Sequence, residues 1–411
     1  MRNIVIAMVI CLLSCSSENK SNNDMELLLK SYSTDRLSIQ DLIGEDMFYF
    51  HSSYKINNGK LIACGMRNSE RTSDSYNSLL FAIDLENKQL LSTVTDPVKD
   101  YVDLTFNLWD DSTLVVMHSL KNEEVYLINI YNHEVDKRYI QFDESANRPA
   151  TIDVNGKQLF MIQNVYGFAV ADLNTLKGKV FANSSFSTFK STVSYPIDKE
   201  LNLLSGTFEY DPKFSENHRE SITIYAIDAA SKVKWKKALS FIKYDDLDAF
   251  NFYNYASCFI IKYHNTVECL DKKNGRLVWH FTNEHPITQT FMVGNKLVVH
   301  SSSAGNVIPS ENESEMKKIK ETNYREEFKI IDLESGKVLW NKNLSGTNSE
   351  VGIIGGNLIV YNDKNAFILN LEKMQQHSMK QTMDLNQSSF KNIMDSKTGK
   401  LYLEYNGMLY W

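Results

Sequence analysis

One unit recurs along this chain and limits what it can become. It is a run of apolar and aromatic residues, then an Asp or Asn, then a short polar turn, then a second apolar stretch. The copies end at Asp84, Asn129, Asp172, Asp228, Asp271, Asp332 and Asn370, and Leu79-Leu80-Phe81-Ala82-Ile83-Asp84 is typical. Self-similarity at a period of tens of residues marks a repeat architecture, in which each unit buries its apolar face only against its neighbours. The Asp or Asn closing a strand accepts hydrogen bonds from the turn that follows, and a Gly supplies the positive φ such turns need.

A second hairpin precedes each unit. Asn57-Asn58-Gly59-Lys60, Asp110-Asp111-Ser112-Thr113, Asn155-Gly156-Lys157, Gly294-Asn295 and Gly355-Gly356 all lie between apolar runs, which is a strong hairpin signal. Two linked hairpins make a four-stranded antiparallel sheet, the blade of a propeller. After the seventh unit the chain offers three more strands, around Ile393, Leu401–Tyr405 and Met408–Trp411. Arg36–Gln40 can supply a fourth, so that strands from both termini close the ring and remove its free edges. The expected fold is therefore all-β, an eight-bladed β-propeller over residues 35–411. A seven-bladed ring with a C-terminal addition is the alternative.

The fullest copies run from Asp271 through Gly275 to Trp279 and from Asp332 through Gly336 and Lys337 to Trp340. A third, from Asp228 to Trp235, keeps the Trp but has Ser231 where the Gly falls. A Trp at this position offers a rigid apolar surface to the adjoining sheet. These copies resemble the repeats of the pyrroloquinoline-quinone-like propeller superfamily. The resemblance implies the fold; it implies function poorly, because one fold hosts many activities. Quinone-dependent members carry a calcium ion, a catalytic Asp and often adjacent cysteines. This chain has no adjacent Cys pair, so no cofactor is expected.

The first residues carry a different signal. Met1-Arg2-Asn3 precedes an apolar run from Ile4 to Leu13, too short for a helix across a hydrocarbon core that needs about 20 residues. A basic start, a short apolar run and then small residues mark a secretory signal over residues 1–14. Leu12-Leu13-Ser14-Cys15 resembles the lipobox of bacterial lipoproteins, which implies lipidation of Cys15 and cleavage before it. Residues 15–34 then follow as a flexible tether. A propeller on such an anchor also resembles the propeller lipoprotein subunits of outer-membrane β-barrel assembly machines, which implies a scaffold role in the envelope. Ser16, rather than Asp, after the Cys favours the outer membrane.

The whole chain carries a net charge of −7, with cations and anions mixed throughout. Without a basic block, no nucleic-acid partner is expected. Three cysteines, Cys64, Cys258 and Cys269, remain beyond Cys15. If Tyr263 pairs with Thr266 about the His264-Asn265 turn, Cys269 faces Ile260 and Cys258 lies on the diagonal. Free thiols are then expected.

No sequence motif identifies a catalytic residue or a metal site. Two insertions, around 207–218 and 303–327, fall between the second and third strands of their blades, and a short helix is expected around 314–320. With the acidic connection at 245–248 they define a candidate binding face: Tyr210, Phe214, His218, Asp245, Asp246 and Asp248. Loops on a rigid scaffold are where binding concentrates. The expected function is a membrane-anchored, non-enzymatic scaffold for an envelope protein or ligand. The alternative is an envelope hydrolase or redox enzyme working at the central channel.

Overall fold

The computed structural model describes residues 25–67, 79–95, 104–118, 123–143, 149–163, 168–181, 194–195, 201–210, 220–228, 233–241, 251–303, 325–345, 349–362, 364–379, 390–395 and 397–411. They form eight sheets, seven of four strands and one of five. Four strands follow chain order in each of the first seven, beginning at Met47, Leu104, Pro149, Ser194, Asn251, Ile287 and Glu350, and the third gains an earlier strand at its edge. This is a β-propeller arrangement.

Local chemistry sets each sheet. All seven Asp/Asn positions of the repeat end the third strand of a sheet, as in Leu79–Asp84, Thr266–Asp271 and Arg325–Asp332. At all but Asp228, whose turn lies outside the described residues, the carboxylate or amide oxygen accepts from the turn behind it. Asp172 Oδ1 takes the amides of Asn174 and Thr175, each at 2.8 Å, and Asp271 Oδ1 takes those of Lys273 and Asn274 at 2.8 and 3.2 Å. The His264-Asn265 turn joins Cys258–Tyr263 to Thr266–Asp271 with Tyr263 opposite Thr266 and Ile260 opposite Cys269. The cysteines at 64, 258 and 269 are all free.

Sheets pack through continuous apolar seams. Leu61, Phe81 and Ile83 of the first sheet meet Tyr402 and Leu409 of the eighth. Val298, Phe328 and Ile330 of the sixth meet Leu358, Val360 and Phe367 of the seventh. Among the described side chains, such contacts run from the fourth sheet through the eighth and on through the first to the third. In the first, second and fourth to seventh sheets the fourth strand is an edge strand. Leu277, Val278, Val338 and Leu339 are exposed there.

The Trp of the repeat works across these seams. A Cβ built on Gly275 would lie 2.7 Å from the Trp235 ring, and one on Gly336 would lie 2.7 Å from that of Trp279. Both glycines have φ of +69°. Each therefore serves twice, making its own turn and seating the indole of the preceding sheet. The indole N–H groups complete the joint: Trp235 Nε1 donates to the Lys272 carbonyl at 2.8 Å and Trp279 Nε1 to that of Leu333 at 3.0 Å.

First strands of neighbouring sheets meet at their edges, where side chains cover unpaired backbone. Asn392 Nδ2 donates to Val351 O at 2.7 Å while its Oδ1 accepts from Ile353 N at 2.8 Å. Tyr253 Oη donates to Thr290 O at 2.6 Å. In the third sheet the outer edge is covered instead by Gln141–Phe142, which adds a parallel fifth strand beside Lys177–Gly178.

The eighth sheet draws on both ends of the chain. Arg36–Ser38 lies antiparallel to Met408–Tyr410, followed inward by Leu401–Tyr405 and Lys391–Met394. The expected strand over 36–40 stops at Ser38, whose side chain accepts the Asp41 amide at 3.2 Å and caps a short helix, Ile39–Ile43. The tether expected over 15–34 also differs at its far end, because residues 25–32 are helical. Met25 and Leu29 stand four apart on one face, and both are fully buried against Ile354, Tyr361, Tyr405 and Tyr410. The apolar spacing turns that stretch into a packed element.

Candidate functional site

In a sheet whose four strands follow chain order, the turn between strands two and three leaves from the same end as the connection to the next sheet. Of the expected binding residues, one lies among the described residues and belongs to that end. Tyr210 closes the strand Leu201–Tyr210 and stands opposite Glu220. Phe214, His218, Asp245, Asp246 and Asp248 lie outside the described residues, as do Cys15 and 314–320. The second insertion is rooted on Ser302 and Glu326, the last pair of its ladder at that end.

At this root the structure places a buried polar cluster between the sixth and seventh sheets. His300 and Glu326, 5% and 3% exposed, sit on the second and third strands of the sixth sheet. The His300 ring stacks on Phe328, with centroids 4.4 Å apart and planes 5° from parallel. Its Nε2 lies 3.7 Å from Glu326 Oε1. From the seventh-sheet side, the Ser349 amide donates to Glu326 Oε1 at 3.0 Å and the Ser349 hydroxyl donates to Oε2. Asn362 Nδ2 reaches Oε2 at 3.4 Å. Burial alone would raise the Glu326 carboxyl, but the contacts from His300 and Ser349 outweigh it and hold the group below its ordinary value. A buried, ionised carboxylate thus faces the imidazole.

On the other side of that imidazole the first strand bulges. The ladder between the first and second strands shifts register between Ile287 and Gln289, which leaves Thr288 unpaired. Bulges re-aim side chains, and here the exposed Thr288 turns its hydroxyl to His300. Thr288 Oγ1 lies 3.1 Å from His300 Nδ1 and 3.2 Å from His300 O. The imidazole thus lies between hydroxyl and carboxylate, and of the three residues only Thr288 is exposed.

A second buried group joins the eighth sheet to the first. Tyr54 Oη donates to Glu404 Oε2 at 2.5 Å, and Lys391 Nζ sits 4.0 Å above the Tyr54 ring. Burial lowers the Lys391 ammonium, opposed by the Glu404 charge. Nearby, the fully buried Asp395 accepts the amides of Asn58 and Gly59 in the first sheet at 3.1 and 2.7 Å. It also accepts those of Lys397 and Thr398 in its own turn, each at 2.9 Å. Burial would raise Asp395, and these four amides hold it low.

At the opposite end of the sheets a cavity of about 280 Å³ opens between Met292, Ile353, Gly355, Lys400 and Trp411. Among the described residues no set of three or more His, Cys, Asp and Glu is placed to hold a metal ion. Nor is any helix among them long and apolar enough to cross a membrane.

The Thr288, His300 and Glu326 grouping was missed in the sequence because its members come from three strands, and the bulge that turns Thr288 leaves no motif. The one local signal was His300 itself, a polar residue closing the apolar run Leu297-Val298-Val299.

No protein-family model matches the sequence, and no curated protein matches it. Among solved structures the chain is similar to the computationally designed Ika8 protein, at 10% identity and a TM-score of 0.50 over 91% of this chain and 98% of that one. BamB from Moraxella catarrhalis matches at 12% identity and a TM-score of 0.45 over 92% and 95% of the two chains. The dihydro-heme d1 dehydrogenase NirN matches at 9% identity and a TM-score of 0.44 over 85% and 78%. At these identities the likeness is one of fold.

Proposed function

We propose that this chain is a cell-envelope lipoprotein, anchored through Cys15 to the outer membrane. Its eight sheets are the blades of one closed ring, and the ring acts as a binding scaffold for an envelope protein or ligand. The observation that carries the reading is the common rooting of the two insertions, on Tyr210/Glu220 and Ser302/Glu326, at equivalent ends of their sheets. Both would then emerge on one face of a rigid support, where binding concentrates. The eight successive sheets and the pairing of Arg36–Ser38 with Met408–Tyr410 support the ring. The Leu12-Leu13-Ser14-Cys15 sequence supports the anchor.

The scaffold is tested by chemical cross-linking and affinity capture from native envelopes, comparing the full chain with a variant in which a short Gly-Ser linker replaces 304–324. That cut spares the strand Arg325–Asp332. The expected result is a discrete partner held by the full chain and lost from the variant. Capture of nothing by either form, with both folded, would sink the scaffold. Mass spectrometry of the mature N-terminus tests the anchor: a diacylglyceryl Cys15 is expected, and an unmodified first residue at any other position overturns it.

A further inference from the structure

We propose that Thr288 is a nucleophilic hydroxyl, with His300 as its general base and Glu326 as the residue that positions that base, competent to take the acyl group of a carboxylic ester. The proposal goes beyond the scaffold reading and does not depend on it.

The geometry of the line is directional. Glu326 carries negative charge 3.7 Å from His300 Nε2, so the imidazole proton belongs on Nε2, facing the carboxylate. That nitrogen is buried and has no hydrogen-bond partner at shorter range. Long links of this kind in the unliganded state tighten when substrate arrives. The other nitrogen, Nδ1, is then left with its lone pair directed at Thr288 Oγ1 at 3.1 Å. A hydroxyl that did no more than satisfy the bulge would need one acceptor, and the His300 carbonyl supplies it at 3.2 Å. The imidazole is a second, basic acceptor on a side chain held flat against Phe328. Nucleophile, base and orienting third group are the three parts of acyl-transfer chemistry, recognised by geometry and not by sequence order.

The exposure pattern fits the same roles. Thr288 is exposed while His300 and Glu326 are buried behind it, so an ester can reach the hydroxyl and bulk water does not surround the base. In the reaction, Thr288 Oγ1 bonds to the acyl carbon as its proton passes to His300 Nδ1. The bond from the acyl carbon to the alcohol oxygen breaks, and the alcohol leaves with that proton. A water molecule then attacks the Thr288 acyl ester, again giving a proton to His300 Nδ1, which returns it to Thr288 Oγ1. The products are the carboxylic acid and the free enzyme.

The test uses the full folded chain, a fluorophosphonate probe that reacts with activated hydroxyls, and p-nitrophenyl acetate. Peptide mapping is expected to find the phosphonyl adduct on Thr288. Thr288→Val should abolish it, Thr288→Ser should keep or increase it, and His300→Gln should slow labelling by about 100-fold, the usual scale for losing a general base. Labelling of the wild type should depend on pH, and Glu326→Gln should change that dependence. Because Thr288 is exposed, Thr288→Val and Thr288→Ser test the idea even where the buried variants fail to fold. A folded wild type that carries no adduct on Thr288 refutes the proposal, and so does equal labelling of a folded His300→Gln.

Discussion

Gly336 and Gly294 both have positive φ, +69° and +58°, but only Gly336 has an indole against its Cα. Ala at Gly294 meets open space and costs about 1 kcal/mol of backbone strain. Ala at Gly336 must also displace the Trp279 ring, and overpacking raises the expected loss to roughly 2–4 kcal/mol. Denaturant melts of the two variants check this. Adding Trp279→Ala should remove most of the difference, since the two residues touch. Asp395 gives a prediction of the opposite kind, in charge. Its carboxylate is held below the ordinary carboxyl value by four amides, so it contributes stability that is present above about pH 4 and lost as pH falls through its lowered folded value. Asp395→Asn should cost about 2 kcal/mol at pH 7. The gap to the wild type should close toward pH 2, which melts at the two pH values will show.

Among the elements, those written in short-range chemistry were legible. The repeat's Asp, Gly and Trp predicted the third-to-fourth strand turn and the indole contact because each acts within a few residues or on the next copy. The pairing of Arg36 with the C-terminal strand was legible because the last sheet lacked a fourth strand and the segment from Arg36 could supply one. The helix over 25–32 was not, since its short apolar pattern, Met25 with Leu29, looks like spacer until the groove between sheets seven and eight is known. The buried line from Thr288 to Glu326 was hidden for a related reason, being set by strand register and a bulge. The helix now carries its own expectation. Leu29→Ala, at a fully buried position, should cost about 2–4 kcal/mol. Hydrogen exchange should report the loss first in residues 25–32 and in their partners Tyr361 and Tyr410.

At the scale of the molecule, the eighth sheet is tied to sheets on both of its sides. Asp395 ties it to the first sheet, Asn392 to the seventh, and the Lys88 ammonium pairs with the Asp35 carboxylate beside the terminal strands. Deleting residues 25–38 should expose the Met408–Tyr410 edge. Fast amide exchange is expected there and slower losses in sheets seven and one, while sheets two and three keep their protection; unchanged exchange at Met408–Tyr410 would contradict the ring.

The joint between Thr34 and Trp411, 377 residues apart in sequence, also bears on how the chain acquires its shape. Every other sheet can assemble from one continuous stretch as it emerges. The eighth must wait for both ends, so its last contact carries a large loop-closure entropy and a high contact order. Refolding should therefore show early protection within the middle sheets and a slow final phase confined to the terminal strands. Until that phase completes, the chain passes through an opened intermediate with two unpaired edges, the species most prone to join another copy of itself.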